Sequence, residues 1–335
     1  MGVVNGSALM AAVSAVVVLA GCAPAQDGAS APSTTVGETT SRPTPAFTPP
    51  TVTLDGLYVI EWTGSGTRNG VAVDDLRREK NGWAFRTACD DDGCVATGGG
   101  IPDPAKPQTP LAAVRVADYA DGHWTMVWSV ESGPSCTGAD GVTYSAPGWS
   151  IWDIAVDAAG TLTPTVTLVG AGDCPYIEVH RPIMTRSEDT LGGVPVPDPA
   201  KQPARIASAA AGFTGAYTLT RTPRGRPGAA QVANHQVATH CLRTETRCVT
   251  TSVNSKAPED FSVLQFDGNG FGRRTAGVSE PCAAGGTGVA EVVETLKPDG
   301  TAAPLRTVSG QRVATFGAGC RGSVTDDVQY AFAAQ

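Results

Sequence analysis

The chain has 335 residues and a formal net charge of −8 at pH 7. An acidic balance argues against a nucleic-acid partner, because nucleic-acid-binding domains carry a basic excess that neutralises phosphates. The length suits two domains of ordinary size. The 40 glycines and 25 prolines recur at short intervals along the chain, which favours short strands and many turns.

Residues 1–21 have the features of a secretory signal. They contain no charged side chain, and the largely apolar run from Ala8 to Ala20 is too short to span a bilayer. The segment Leu19-Ala20-Gly21-Cys22 resembles the lipobox of bacterial lipoproteins, whose cysteine is diacylated and becomes the mature N-terminus. The resemblance implies a lipid anchor at Cys22 on the extracytoplasmic face of the cell membrane. The alternative is a plain secretory signal.

Residues 22–53 predict a disordered tether. The segment is rich in Pro, Ser, Thr and Ala and has one aromatic residue, Phe47, so it cannot bury enough apolar surface to offset chain entropy. The cysteine count agrees with an exported protein. Of the 9 cysteines, setting aside Cys22 leaves four in each half, which suits paired disulfides in an oxidising compartment.

Two stretches predict β-hairpins with a cysteine at each mouth. From Trp83 to Thr87 large and small side chains alternate, and Asp92-Gly93 supplies a tight turn before the second strand. Residues 235–251 repeat the arrangement. Four cysteines per half allow three connectivities, and hairpin geometry favours pairing within each hairpin. The predicted disulfides are Cys89–Cys94, Cys136–Cys174, Cys241–Cys248 and Cys282–Cys320.

The cysteine spacing also indicates an internal duplication. The third and fourth cysteines are 38 residues apart in both halves. Gly56-Leu-Tyr58 matches Gly215-Ala-Tyr217, and an Asp-Gly pair precedes the third cysteine at the same distance in each half. We therefore expect two homologous domains, at 54–187 and 204–335, joined by a Pro-rich linker at 188–203. Residues 204–211 predict a short helix.

The remaining segments predict strands. Large apolar side chains alternate with period two along residues 58–62, 124–130 and 162–168, and no helical pattern exceeds two or three turns. The expected fold class is all-β, with two tandem homologous antiparallel β-barrel or β-sandwich domains, each with two disulfides, after a disordered tether.

The hairpin that begins at Trp83, together with the opening Gly-x-Tyr, resembles a family of actinobacterial, mycobacterial-type envelope proteins. The shared pattern reads Trp-x-Phe-Arg-Thr-x-Cys, then Gly-Cys-Val-Ala-Thr. Members occur as lipoproteins with Cys-rich β modules, and similar modules form the extracytoplasmic part of some membrane Ser/Thr kinases. In the second half His235 replaces Trp83 and Val237 replaces Phe85, so the resemblance is clear in the first half. It implies an envelope module that senses or binds, with no catalytic residue to transfer.

The sequence contains no catalytic motif. A Gly-x-Ser-x-Gly elbow and a Gly-rich phosphate loop are absent, and the four histidines lack metal-ligand spacing. The acidic run at residues 90–92 lies in a tight turn, where solvated side chains are a simpler interpretation than a calcium site. We expect no enzyme activity, no catalytic residue, no metal and no cofactor. An envelope hydrolase built from residues distant in sequence is the less favoured alternative.

All 6 tryptophans lie in the first half. At the approximate equivalents of the first four, the second half has Arg221, His235, Gly270 and Arg274. The simpler interpretation is that the tryptophans fill the first core, and the functional one is an aromatic-lined groove or cavity for an apolar or glycolipid ligand. The candidate ligand-binding residues are Trp124, Trp128, Trp149 and Trp152.

Charge is divided unevenly between the halves. Residues 54–186 carry 17 acidic and 9 basic side chains, whereas residues 204–335 carry 10 and 13. Three alternative explanations fit this difference in charge. They are drift between duplicates, docking of the halves on each other, and contact of the second half with anionic glycolipid. The oligomeric state stays open.

The leading function is that of a non-catalytic envelope lipoprotein that binds or senses an unknown ligand. The alternative is a lipid or glycolipid carrier with an internal cavity in the first domain.

Overall fold

The computed structural model describes residues 47–334, apart from 92, 104, 107, 132, 134, 146, 189–190 and 284. The predicted signal peptide, Cys22, residues 23–46 of the predicted tether and Asp92 lie outside the described residues. From Phe47 onward the chain forms one compact unit. Its regular structure is strands and two short 3₁₀ turns, Pro199–Lys201 and Ala209–Gly212. In the described part, the structure contains no helix with the length and apolarity that a membrane crossing requires.

The first half folds into an 11-stranded antiparallel sheet that curves into a half-barrel. We call this sheet the half-barrel. Its strands are β1 Gly56–Thr63, β2 Gly66–Arg68, β3 Val71–Val73, β4 Arg78–Asp90, β5 Gly93–Gly100, β6 Arg115–Ala120, β7 His123–Val130, β10 Gly148–Val156, β11 Leu162–Gly170, β12 Tyr176–His180 and β13 Ile183–Arg186. A separate two-stranded sheet pairs β8 Ser135–Thr137 with β9 Thr143–Ser145.

The order of strands across the half-barrel is β13-β1-β4-β5-β6-β7-β10-β11-β12-β2-β3. Arg181 and Pro182 interrupt the strand structure between β12 and β13. This interruption explains why the two strands lie at distant places in the order. β12 pairs with β11 and then extends to the β2–β3 hairpin, whereas β13 pairs with β1. Proline has no N–H to donate to a ladder, so strand pairing is interrupted at this point.

The second half forms a closed antiparallel barrel, which we call the barrel. Its strands follow chain order, and the last pairs with the first. They are β14 Gly215–Arg224, β15 Gln231–Cys241, β16 Cys248–Asn254, β17 Phe261–Phe266, β18 Phe271–Pro281, β19 Thr287–Pro298, β20 Thr307–Ala318 and β21 Ser323–Phe332. Closure removes the unpaired strand edges that an open sheet exposes.

The predicted all-β fold class is confirmed, with four disulfides. The structure pairs the cysteines as hairpin geometry predicted, and Cys89 lies opposite Cys94 as Cys241 lies opposite Cys248 in the strand registers. Side-chain alternation follows the sequence, because Tyr58, Ile60 and Trp62 all point into the half-barrel core. That the halves descend from one duplicated unit stays a prediction.

The segments flanking the half-barrel pack against it. Phe47, which the sequence assigns to the tether, lies against the core with its ring centroid 6.4 Å from that of Tyr119. In the Pro-rich linker, Val194 and Val196 are buried on the outer face of the half-barrel against Ala84. Apolar side chains in both segments thus extend the ordered structure beyond the predicted bounds. The predicted helix at 204–211 is wrong, since only the 3₁₀ turn Ala209–Gly212 forms, capped by Ser208.

The half-barrel docks on the barrel through an apolar interface formed by their outer faces. Trp149 and Ile151 from β10 meet Val249 from β16 and Val263 from β17 in one buried cluster. Backbone contacts extend the interface, including a hydrogen bond from the Ala139 N–H to the Gly277 carbonyl at 2.7 Å. The two sheets are therefore packed against each other.

Candidate functional sites

The inner face of the half-barrel is filled by aromatic rings. Trp62 and Trp152 meet edge to face with ring centroids 5.7 Å apart, and the Trp83 and Trp152 centroids are 4.9 Å apart. Trp124 and Met126 are fully buried in the same cluster. Aromatic pairs at these distances add to the hydrophobic stabilisation of a core.

The four candidate tryptophans do not form one site. Trp124 and Trp152 are buried in the inner core, whereas Trp128 lies at its margin, half-buried, with the Arg115 guanidinium 4.5 Å from its ring centroid. Trp149 lies on the opposite face of β10 from Trp152, because the two are an odd number of residues apart in one strand. Trp149 therefore does not share a surface with Trp152 and contributes to the interface with the barrel.

A pocket of about 540 Å³ lies at the junction between half-barrel and barrel. Its floor is the hairpin mouth closed by Cys89 and Cys94, and its wall includes Tyr119 and the 3₁₀ turn at Ala200. The lining combines charged and apolar groups, and domain junctions are common ligand sites.

Asp118 anchors the charged side of this junction pocket. Its carboxylate accepts a hydrogen bond from Arg205 at 2.7 Å and another from Arg243 at 3.1 Å. The Arg243 side chain is largely buried and also donates to the Pro203 carbonyl. Acidic half-barrel and basic barrel side chains thus pair across the junction, which agrees with the docking interpretation of the uneven charge.

The interior of the barrel differs from that of the half-barrel at matching register positions. Tyr58 lies opposite Trp83 in the first sheet, as Tyr217 lies opposite His235 in the second. Trp62 follows Tyr58 by four residues, as Arg221 follows Tyr217. Polar groups therefore replace indoles at two inward positions of the barrel.

On β18, the fifth strand of the barrel, the equivalents counted from the sequence do not match the structure. Gly270 precedes β18, and Arg274 points outward, where it pairs with Glu291 at 2.6 Å. The inward positions are Phe271 and Arg273. Phe271 lies opposite Phe266 as Trp124 lies opposite Tyr119. The Asp-Gly pair is one residue farther from Phe271 than from Trp124, so counting from that pair selects the wrong face. Arg273 binds the buried Glu294 at 2.8 Å.

The inward side chains of the barrel include a buried polar layer. It contains His235, Ser252, Ser262, Glu294 and Tyr330, each at most 1% exposed. His235 Nδ1 and the Ser252 hydroxyl are 2.9 Å apart, and the His235 and Tyr330 ring centroids are 6.2 Å apart. Burial lowers the pKa of His235, so its imidazole is neutral near pH 7, and burial raises the pKa of Tyr330 to about 12.

The Ser252–His235 pair lacks the arrangement of a nucleophile and its base. A catalytic base is oriented by a third group through its other ring nitrogen, and the Nε2 of His235 has no hydrogen-bond partner among the described residues. Both side chains are enclosed in the barrel rather than in a cleft. The side chains of His123 and Asp153 are also paired, 2.6 Å apart, but they are exposed on the protein surface. No group of three metal-ligating side chains occurs there either.

Residues 49–201 match the family model described as the PknI serine/threonine-protein kinase sensor domain. Two solved structures of the Mycobacterium tuberculosis PknI sensor domain are similar to the chain. The monomer form has 24% identity over 45% of this chain and 98% of that one, with a TM-score of 0.36. The dimer form has 21% identity over 54% of this chain and 100% of that one, with a TM-score of 0.30.

A third solved structure, a DUF3598-family protein of unknown function from Nostoc punctiforme, has 10% identity over 83% of this chain and 96% of that one, with a TM-score of 0.18. A search of curated proteins finds no match. The predicted resemblance to the extracytoplasmic modules of membrane Ser/Thr kinases is confirmed, and residues 49–201 are similar to a kinase sensor domain.

Proposed function

We propose that the chain is a non-catalytic binding or sensing module on the extracytoplasmic side of the membrane. The observation that carries this proposal is the match of residues 49–201 to a kinase sensor domain. The geometry supports it, because the inner face of the half-barrel is packed with aromatic rings and the Nε2 of His235, in the Ser252–His235 pair, has no orienting partner among the described residues. A packed interior gives the carrier alternative no support.

The ligand site that the geometry supports best is the junction pocket. It combines a volume of about 540 Å³ with the buried Arg243, the Asp118 carboxylate and the Tyr119 ring. This lining fits a ligand with both polar and apolar parts, such as a glycolipid fragment. A ligand there contacts both sheets at once, so binding and the relative position of the sheets are coupled.

Native mass spectrometry of protein taken from its own envelope tests this site. We expect a co-purified ligand on the wild-type chain and its loss from Ala200→Trp, which fills the pocket from an exposed wall position. Ala159→Trp, at an exposed turn outside the pocket, is the matched control and should keep the ligand. A wild-type chain without ligand, or equal occupancy in Ala200→Trp, would contradict the proposal.

We further propose that Cys22 anchors the chain to the membrane through its acyl groups. The lipobox-like segment ending at Cys22 supports this anchor. Stable anchoring requires more than one acyl chain, so Cys22→Ala should release the protein from the membrane fraction. A variant that stays membrane-bound in cell fractionation rules out the lipid anchor without bearing on the binding proposal.

A further inference from the structure

We propose that the polar layer inside the barrel is a binding site for a small carboxylate that also carries a hydrogen-bond donor. The inference rests on the geometry of the barrel alone, and it stands whether or not the junction pocket binds a ligand. Three features of this layer carry it: unpartnered buried polar atoms, an unpaired guanidinium, and a donor arrangement that suits an anion.

The first feature is a set of buried polar atoms without hydrogen-bond partners. An unsatisfied buried polar group destabilises the folded state, so such groups are few in a folded protein unless they meet water or a ligand. Among the described residues, four such atoms occur in one layer of the barrel. They are Arg221 Nε, His235 Nε2, Ser262 Oγ and Glu294 Oε1.

The second feature is the charge balance of the layer. Arg273 is paired with Glu294, and Arg312 is paired with both Glu280 and Asp326. Arg221 alone among these interior arginines has no ion pair in the described structure, although its Nε is fully buried. A partly buried cation without a counter-charge has lost part of its hydration, so a bound monoanion would offset that cost.

The third feature is the set of donors that surround Arg221. If the Ser252 hydroxyl donates to His235 Nδ1, the neutral imidazole carries its proton on Nε2 and donates there. The Tyr330 hydroxyl, which interacts with the Ser252 side chain, is a further donor close to Arg221. A carboxylate is therefore met by a guanidinium, an imidazole N–H and a phenol, while Glu294 Oε1 accepts from a donor on the ligand.

Space and access also favour a small ligand. His235 occupies the register position at which the half-barrel has Trp83, and an imidazole is smaller than an indole. Arg221 is only partly buried, so its side chain extends from the layer to the barrel surface. The other end of the barrel is closed by Phe213, which packs edge to face on Tyr217, Phe271 and Tyr330.

Glycolate, acetate and glycolamide separate the contributions of charge and donor. We expect glycolate to bind the full chain saturably in calorimetry at constant ionic strength, and to shift the His235 imidazole resonances in NMR spectra. Acetate lacks the hydroxyl that meets Glu294 and should bind several-fold more weakly. Glycolamide is neutral and should not saturate. Equal affinities for glycolate and glycolamide would overturn the proposal, as would a wild-type chain that holds ordered water only.

Arg221→Met tests the site at one residue. We expect at least a tenfold loss of glycolate affinity, while the unliganded variant melts at the same temperature as the wild type or higher, since an unpaired cation has been removed. Arg224→Met, an exposed residue paired with Asp327, is the matched control and should bind normally. Tyr330→Phe, which keeps the ring, should weaken binding several-fold. Wild-type affinity in both Arg221→Met and Tyr330→Phe would refute the site.

Discussion

Trp124 shows how one residue stabilises the half-barrel. Its side chain is fully buried, its ring lies 5.1 Å from that of Tyr119, and its indole N–H points to the Val52 carbonyl. We predict that Trp124→Ala lowers the free energy of unfolding by roughly 3–5 kcal/mol, because a large cavity remains. That is a substantial share of the stability of a typical domain, so thermal unfolding should shift strongly.

Trp128→Ala is the comparison for this prediction. The Trp128 side chain is half-buried, and the Arg115 guanidinium lies over one face of its ring. Truncation removes less buried surface, so the loss of stability should be clearly smaller. Similar losses for the two variants in chemical denaturation would show that burial does not explain the role of Trp124.

His235 should make the protein less stable in mild acid. Burial lowers its pKa, an effect that nearby Arg221 reinforces and that Asp260, a hydrogen bond to the Ser252 backbone and Glu294 oppose. The unfolded chain binds a proton near pH 6.5 while the folded one does not, so stability falls as the pH drops below that value. The loss is about 1.4 kcal/mol per pH unit while the folded imidazole stays neutral.

Melting temperatures measured between pH 7.5 and 5.5 test this expectation. The His235→Gln variant should show a flatter decline than the wild type, whatever its absolute stability. Parallel curves for the two proteins would mean that His235 titrates normally in the folded state.

The sequence predicts inward side chains correctly where the period-two alternation continues over a long strand. Trp124 and Met126 alternate as predicted, and both are buried. The residue count fails on β18, because the Asp-Gly pair lies four residues before Phe271 but three before Trp124. Arg274 was therefore matched to a tryptophan position in place of the inward Arg273. The candidate residues Trp149 and Trp152 lie on opposite faces of β10, as strand alternation requires.

At the scale of elements, the disulfides differ in the length of chain that they close. Cys136–Cys174 joins residues 38 positions apart, whereas Cys89–Cys94 joins residues 5 apart. Loop-closure entropy predicts that the long bridge stabilises by about 4 kcal/mol and the short one by about 2 kcal/mol. We expect the double Cys→Ser variants of each pair to follow this order in urea denaturation. The opposite order would indicate that native-state packing around Cys89–Cys94 outweighs chain entropy.

Hairpins were the elements that the sequence specified best. Period-two alternation and a cysteine at each mouth predicted both β4–β5 and β15–β16, and the registers place the cysteines opposite one another. The predicted helix at 204–211 did not form, because its alanines have good propensity but too few turns to be stable without packing. Pro182 indicates the interruption between β12 and β13, because proline cannot donate a hydrogen bond to a strand ladder.

At the scale of the molecule, the apolar interface should hold the two sheets together. Val249 is fully buried in the interface cluster and points away from the barrel interior. We predict that Val249→Asp separates the sheets without unfolding either, because a carboxylate would be buried there without a partner. Limited proteolysis should then cut the linker at 188–203, and the radius of gyration from small-angle scattering should increase.

Val232→Asp provides the matched control for the interface. Val232 lies in the barrel as well but is 64% exposed, so the same substitution should leave proteolysis and scattering unchanged. A Val249→Asp chain as resistant and compact as the wild type would contradict a docking role for this face.

Docking was the feature of the whole molecule that the sequence left open. One signal was present, since β10 has apolar side chains on both faces, with Trp149 and Ile151 on one and Trp152 and Ile154 on the other. A strand apolar on both faces is typical of burial on both. Which surface covers the outer face cannot be derived from alternation, because alternation is local and docking joins residues about 100 positions apart.

The charged row inside the barrel has a consequence for how its strands align. Arg273, Glu294, Arg312 and Asp326 face one another in register across β18 to β21. A slip of two residues keeps every side chain on its own face, so a purely apolar filling would tolerate it. Here such a slip between β19 and β20 sets Glu294 opposite Gly310 or Ala314. Glu294 and Arg312 are then both buried without each other as partners. The charged row therefore specifies one strand register of the closed barrel, because shifted registers leave buried charges unpaired.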